Sequence, residues 1–193
     1  EARQELVERI VAESGAIELH PHSSTNTLAS DTTVGYEILA QLEVVPGAIL
    51  VPASGGGLLA GCALAMQLEG KETRVVGVQP SGSPAFVRSF AAGHRVTVAS
   101  VDTLADGLQA SCPGALGFEV AQHYVSAMIE IDEADIAPAV RWFAVEEKLV
   151  VEPSGAVPLA ALLAGQGRDL PEPIVVVASG GNLHPDLLAD LIG

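Results

Sequence analysis

Aromatic residues make up only 4% of the 193 positions, and 9 basic residues stand against 24 acidic ones. The first shortage disfavours a stacking platform for sugars or single-stranded nucleic acid. The second leaves a formal charge of −15, which argues against nucleic acid and anionic membranes as partners, because like charge repels both. Cysteine is reduced to Cys62 and Cys112. Their separation fits neither a zinc site nor a redox pair, so two reduced thiols in a cytoplasmic protein are expected and no metal is read from them. No apolar run approaches the roughly 18 residues of a membrane span, and no basic segment followed by an apolar one opens the chain as a leader would. Lysine occurs only as Lys71 and Lys148. What the chain has in quantity is Ala, Val, Leu and Ile. Hydrophobic residues reach 49%, enough for one well-packed domain or a piece of a larger one.

The opening EARQELVERIVAESGA has helical spacing, with Leu6, Ile10 and Val11 on one face and Gly15 placed to cap it. A first residue already inside a helix gives the expectation that the chain is cut from something longer. Residues 36–42 read as the end of a helix capped by Thr32 or Thr33, 47–52 as a buried strand, 58–68 as a helix and 74–78 as a second strand. Further on, 84–92 read as helical, 95–98 as a short extended piece, 116–123 as a helix and 126–131 as a strand. Residues 132–149 read as one helix started by the acidic DEAD turn, 158–164 as another, and 174–178 as the last strand. Strands that alternate with helices predict an α/β fold, an open, mostly parallel, twisted sheet flanked by helices. No segment of linker composition divides it.

Two of these strands run into a Ser-Gly-Gly turn, at Ser54 and at Ser179. Ligands of open α/β sheets sit at the C-terminal ends of strands. Bare backbone N–H groups followed by a helix N-terminus make an anion site that needs no side chain. VPASGGGLLAG, residues 51–61, therefore reads as a phosphate loop, with a tight strand-to-helix turn as the plain alternative. A nucleoside triphosphatase is excluded, because Leu58 follows Gly57 where that class needs Lys and then Ser or Thr. Gly55, Gly57 and Ala60 satisfy the G-x-G-x-x-A pattern of dinucleotide folds. The next strand ends at Gln79, however, and not at the acidic residue that would hold a ribose, so that reading comes second.

VPASGGGLLAG, TLADG at residues 103–107, VEPSGA at 151–156 and ASGGN at 178–182 follow one another in a particular order and spacing. In this the chain resembles the serine/threonine dehydratase (threonine ammonia-lyase) and serine racemase family, pyridoxal-phosphate enzymes of the tryptophan-synthase-β-like fold, fold type II. The resemblance implies pyridoxal 5'-phosphate as cofactor and a small amino acid as substrate. It implies β-elimination of water from L-serine or L-threonine, then release of a 2-oxo acid and ammonia. By the same resemblance Ser54, Gly55, Gly56, Gly57 and Leu58 wrap the cofactor phosphate with backbone N–H groups, Ser54 standing where the family usually has a fourth glycine. The Ser179 hydroxyl meets the pyridine nitrogen, Gly180 follows it, and Glu152 stands beside the ring, an ordinary helix-flanking carboxylate being the alternative for Glu152. A neutral hydroxyl leaves that nitrogen largely unprotonated and moderates electron withdrawal, which suits β-elimination. Asp106 in TLADG is either a turn residue or a catalytic one. His20-Pro21-His22 matches a turn of the family that leads to the pocket and has too few partners for a metal site. Glu146, Glu147 and Lys148 read as a solvated helix face.

Departures from the family pattern carry their own expectations. Ser30-Asp31-Thr32-Thr33 stands in place of a G-Q-G-T turn, keeping helix capping and losing glycine geometry. Gln79 and Ala85 replace the glutamate and aspartate that hold a divalent cation near the phosphate loop in some relatives, so no metal site is expected. Neither Lys71 nor Lys148 matches the motif of the Schiff-base lysine, so no catalytic residue is assigned in this chain and that lysine is expected before Glu1. Residues 1–18 are then expected to be the last helix of the small domain, and 19–193 the C-terminal part of the large cofactor-binding domain, incomplete alone. The full-length protein is expected to be a homo-oligomer, and the runs AILVPA and IVVVA are expected to lack strand neighbours here. The competing reading is a lysine-less module or degenerate remnant that binds phosphate or an amino acid without turnover. Serine racemase is a further alternative.

Overall fold

A computed structural model of the chain describes residues 2–20 and 24–193. Strands β1 (Ala48–Pro52), β2 (Arg74–Pro80), β3 (Ala127–Ile131) and β4 (Ile174–Val176) form one parallel sheet in the order β3-β2-β1-β4. Leu50 of β1 sits in register with Val76 of β2 on one side and Val176 of β4 on the other. The helices are α1 (Ala2–Ser14), α2 (Thr25–Gln41), α3 (Gly57–Leu68), α4 (Ala85–Ala92), α5 (Ala115–Tyr124), α6 (Ile136–Trp142), α7 (Pro153–Leu163) and α8 (Pro185–Ile192). The alternating pattern thus gives the α/β sheet flanked by helices that it predicts.

Strand β1 is apolar along its length because both of its faces are covered. Ile49 and Val51 join Leu59, Cys62, Phe86 and Phe118 under α2, α3 and α5, whereas Ala48 and Leu50 join Val76, Ile136, Val140 and Ala160 under α6 and α7. The two-residue period of the strand divides one apolar run between two cores. AILVPA is therefore not short of neighbours, contrary to the expectation, since β2 and β4 flank it. The run IVVVA does lie at the sheet edge, as the short β4, with half-buried side chains.

Several element boundaries differ from the sequence reading. The N-cap of α2 is Ser24, whose Oγ accepts from Thr27 N at 3.1 Å, and neither Thr32 nor Thr33. Residues 30–33 lie inside the helix, where the hydroxyls of Thr32 and Thr33 bond back to the carbonyls of Ala29 and Ser30 at 2.6 and 2.7 Å. Residues 95–98 are not extended structure but loop, fixed by Val96 N to Ser89 Oγ at 2.8 Å and Val98 N to Ser111 O at 2.8 Å. The expected helix at 132–149 is broken into a 3-10 turn (Glu133–Asp135), α6 and a π turn (Phe143–Glu147). Lys148 then adopts a left-handed φ of 59° and closes the end. Helix α7 starts at Pro153 and holds Pro158 in its interior, so VEPSGA opens a helix instead of preceding one. Among the described residues no helix is long and apolar enough to cross a membrane.

Candidate functional site

Strands β1 and β4 are neighbours and both end in Ser-Gly-Gly, so the two turns come together at one end of the sheet. The remaining motifs are tied onto them. Ser54 Oγ accepts from Ala110 N at 3.2 Å, and Gly55 O from Gly114 N at 2.9 Å. Ser154 Oγ, in VEPSGA, accepts from Gly107 N of TLADG at 2.8 Å. Glu152 N donates to Gly180 O at 2.9 Å, while Glu152 Oε2 accepts from Asn182 N at 2.8 Å. Four segments that are remote in sequence therefore form one hydrogen-bonded unit.

Between the turns lies a cavity of about 300 Å³, lined by Asp31, Pro52, Ser54, Gly55, Gly56, Gly57, Leu58, Gly107, Leu108 and Ser179. Gly56 turns the chain into α3 with a φ of 95°, and a Cβ there would stand 2.4 Å from Cε2 of the fully buried Phe86. Both the left-handed backbone and the lack of room demand glycine. No side chain caps α3, so its first N–H groups have no partner in the helix or at the cap. Such a bare cradle at a helix start suits a phosphate. The lining therefore fits the phosphate end of a pyridoxal-phosphate group.

The residues singled out in the sequence are distributed as follows. Ser54, Gly55, Gly56, Gly57, Leu58 and Ser179 line the cavity. Gly180, in the second turn, and Glu152 do not line it; the two are in contact, and a Cβ on Gly180 would lie 2.4 Å from Glu152 Oε1. Asp106 is exposed and lines a separate cavity of about 440 Å³ with Pro153, Asn182 and His184. Lys71 lines a larger cavity of about 560 Å³ at the opposite end of α3, together with Tyr36, Leu42, Val44 and Glu69. Lys148 is exposed and its Nζ donates to Val145 O. Pro21 and His22 of the His-Pro-His turn lie outside the described residues. Gln79 is fully buried, and its Oε1 accepts from Phe86 N and Val87 N at 2.9 and 3.0 Å. It caps α4, which the N-cap residue Pro84 cannot do.

Three side chains matter here that the sequence reading did not assign to the site. Ser154, 3% exposed, holds the TLADG turn; its position inside a quoted motif was the available signal. Glu133 gathers Gly82 N, Thr103 Oγ1 and Leu104 N, each at 3.0 Å, and so fixes the loop after β2 to TLADG. In sequence it is only one acid of DEAD. Asp31 reaches the cavity because α2 crosses α3 at Gly61, where a Cβ would come within 2.5 Å of the Asp31 carbonyl carbon. Burial pushes the Asp31 carboxyl above its ordinary value. Burial, and then the Asp31 charge, push the Cys62 thiol up to about 12, which leaves it a neutral thiol.

Comparison with known proteins matches residues 1–180 to the family described as pyridoxal-phosphate dependent enzyme. The chain is 34% identical to the L-threonine ammonia-lyase of Thermotoga maritima over 187 residues, covering 95% of this chain and 45% of that protein. It is also 34% identical to the serine racemase of Arabidopsis thaliana over 194 residues, covering 98% and 58%. Among solved structures, the threonine deaminase of T.th. superposes with a TM-score of 0.88 at 34% identity, over 93% of this chain and 65% of that one. Maize serine racemase superposes with a TM-score of 0.90 at 34% identity, over 97% and 58%. The chain spans about half the length of the curated relatives it matches. The family match spans the first glycine turn and extends to Ser179 and Gly180 of the second, and the cradle between the turns suits a phosphate: the chain belongs to the family of pyridoxal-phosphate dependent enzymes.

Proposed function

We propose that this chain is the cofactor-binding portion of a longer pyridoxal-phosphate ammonia-lyase that converts L-serine or L-threonine to a 2-oxo acid and ammonia. The observation that carries the reading is the cavity whose wall is made by the glycine turn before α3 and by Ser179 at the end of the neighbouring strand. In this reading the backbone N–H groups of residues 54–58 hold the phosphate. Ser179 offers the ring nitrogen a neutral hydroxyl, and Glu152 braces the second turn beside the ring through its bonds to Gly180 O and Asn182 N. Residues 1–18 belong to the small domain and 19–193 to the large one. When bound, the cofactor supplies an electron sink for bonds at the α-carbon of the amino acid. The amine that anchors it comes from outside these residues, because Lys71 lies at the far end of α3 and Lys148 is engaged with Val145 O.

Serine racemase is the second reading, favoured by a plant racemase that matches this chain as well as the ammonia-lyase does. The test is incubation of the intact protein with pyridoxal phosphate and L-serine or L-threonine, followed by borohydride reduction and peptide mapping. Production of 2-oxo acid, with no reduced adduct on Lys71 or Lys148, is expected. D-serine without 2-oxo acid would transfer the assignment to the racemase. Cofactor binding with neither product would make the chain part of a binding module, and an adduct on either lysine would overturn the placement of the amine.

A further inference from the structure

Among the described residues, the cavity between the glycine turns is lined by one ionisable side chain, and it is an acid. A site for an anion would be expected to carry a basic group there, or none. Asp31 is not a stray surface group. It sits in the interior of α2, half-buried, and the close crossing at Gly61 fixes its backbone against α3. The rest of the wall consists of glycine backbone, two serines and apolar side chains, so among the described residues nothing basic on it offsets a negative charge.

We infer that Asp31 sets the affinity and the pH dependence of the phosphate site, opposing the phosphate as a carboxylate and donating a hydrogen bond to it as a carboxylic acid. The inference rests on the reading of this cavity as the pyridoxal-phosphate site. Among the described residues that line the cavity, Asp31 is the group that titrates; the nearest described imidazole is that of His20, whose carbonyl accepts from Thr27 Oγ1 at 2.8 Å one turn before Asp31. From α3 it faces Cys62, a neutral thiol. One turn away on α2 itself stand Thr27, Leu28, Val34 and Gly35, and the glycine turn, Leu108 and Ser179 are uncharged. The next carboxylate, Glu152, does not line the cavity and is bonded to Asn182 N. Burial already holds the Asp31 proton more tightly than usual. An anion beside it must hold that proton tighter still, so binding draws in a proton from solvent.

The experiment compares the intact, cofactor-free protein with its Asp31→Asn variant, titrating pyridoxal phosphate and pyridoxal at about pH 5.5 and about pH 8.5, on either side of the second phosphate ionisation near about 6. Pyridoxal lacks the phosphate and reports folding and ring binding alone. At the higher pH, Asp31→Asn should bind pyridoxal phosphate about 10-fold tighter than the parent, the scale expected of two like charges in a partly buried site. Pyridoxal affinity should not change, and the gap between the two proteins should narrow at the lower pH. The parent should take up more protons on binding than the variant. Equal pyridoxal phosphate affinity in both proteins at the higher pH, or a shift of the same size for pyridoxal, would overturn the role of Asp31 while leaving the site in place. If the parent binds pyridoxal phosphate no better than pyridoxal at either pH, the cavity is not the phosphate site, and the inference falls with that reading.

Discussion

The buried hydroxyl of Ser154 accepts the Gly107 N–H and so holds the TLADG turn against the start of α7. Removing that acceptor loses a hydrogen bond whose donor, on the exposed Gly107, can turn to water, which costs on the order of 0.5–1.5 kcal/mol. Ser154→Ala should therefore lower the stability measured by urea unfolding by that amount and speed amide exchange at Gly107 more than at β1 amides. Unchanged exchange at Gly107 would mean that the turn is held by something else. Residue by residue, the sequence was most readable where backbone carries the chemistry. Ser54 to Gly57 and Ser179 to Gly181 stand out because only glycine satisfies a left-handed turn such as Gly56, or leaves room for Glu152 against Gly180. Side chains that work across large sequence separations were not readable. Glu133 bonds Gly82, Thr103 and Leu104, and Asp31 reaches the cavity only through a helix crossing; neither relation leaves a local pattern.

Helix crossings decide the element scale too. Helices α2 and α3 approach closely because Gly35 and Gly61 remove side chains from the contact, where a Cβ would meet Ala65 Cβ and the Asp31 carbonyl carbon at 2.5 Å each. A methyl at Gly61 must push α2 away and with it the wall of the cavity. Gly61→Ala should cost about 1–3 kcal/mol by overpacking, lowering the thermal midpoint by about 2–4 °C for each of these in a chain of this size. A midpoint at or above the parent's would show that the helices are not held together there. The same contact places Thr32 inside α2 and not at its start. Thr32 and Thr33 have the chemistry of caps, yet Leu28, Thr32 and Gly35 form the buried stripe of a helix already under way from Ser24. The break after α6 was hidden for the opposite reason. The residues at 143–149 have ordinary helix propensity, but Lys148 takes a left-handed φ and Leu149 N bonds Phe143 O at 3.0 Å, a closure that no glycine announces. Strand β1, by contrast, is apolar throughout because it is buried on both faces, and its position was plain.

Taken whole, the molecule carries −15 formal charges yet keeps a phosphate-shaped cradle. These are compatible because the cradle is built from backbone dipoles at the start of α3, which act at short range while the surface charge is screened over roughly 10 Å. Apolar side chains are also left in water, with Ile17 86% and Leu19 62% exposed next to α1. That exposure agrees with a chain spanning about half the length of its curated relatives, and it falls where the expected small domain, ending at residue 18, would give way to the large one. The central claim, that the turn before α3 is where the family's cofactor binds in this protein, is tested most directly by the affinity of the intact protein for pyridoxal phosphate with and without Gly56→Asp. An aspartate there would need a left-handed backbone, would collide with Phe86 and would set a negative charge among the N–H groups. Parent protein should bind one pyridoxal phosphate per chain, and Gly56→Asp should weaken that binding by about 100-fold or more, the scale of losing charge-assisted hydrogen bonds. Equal affinity in a variant that remains folded would contradict the account.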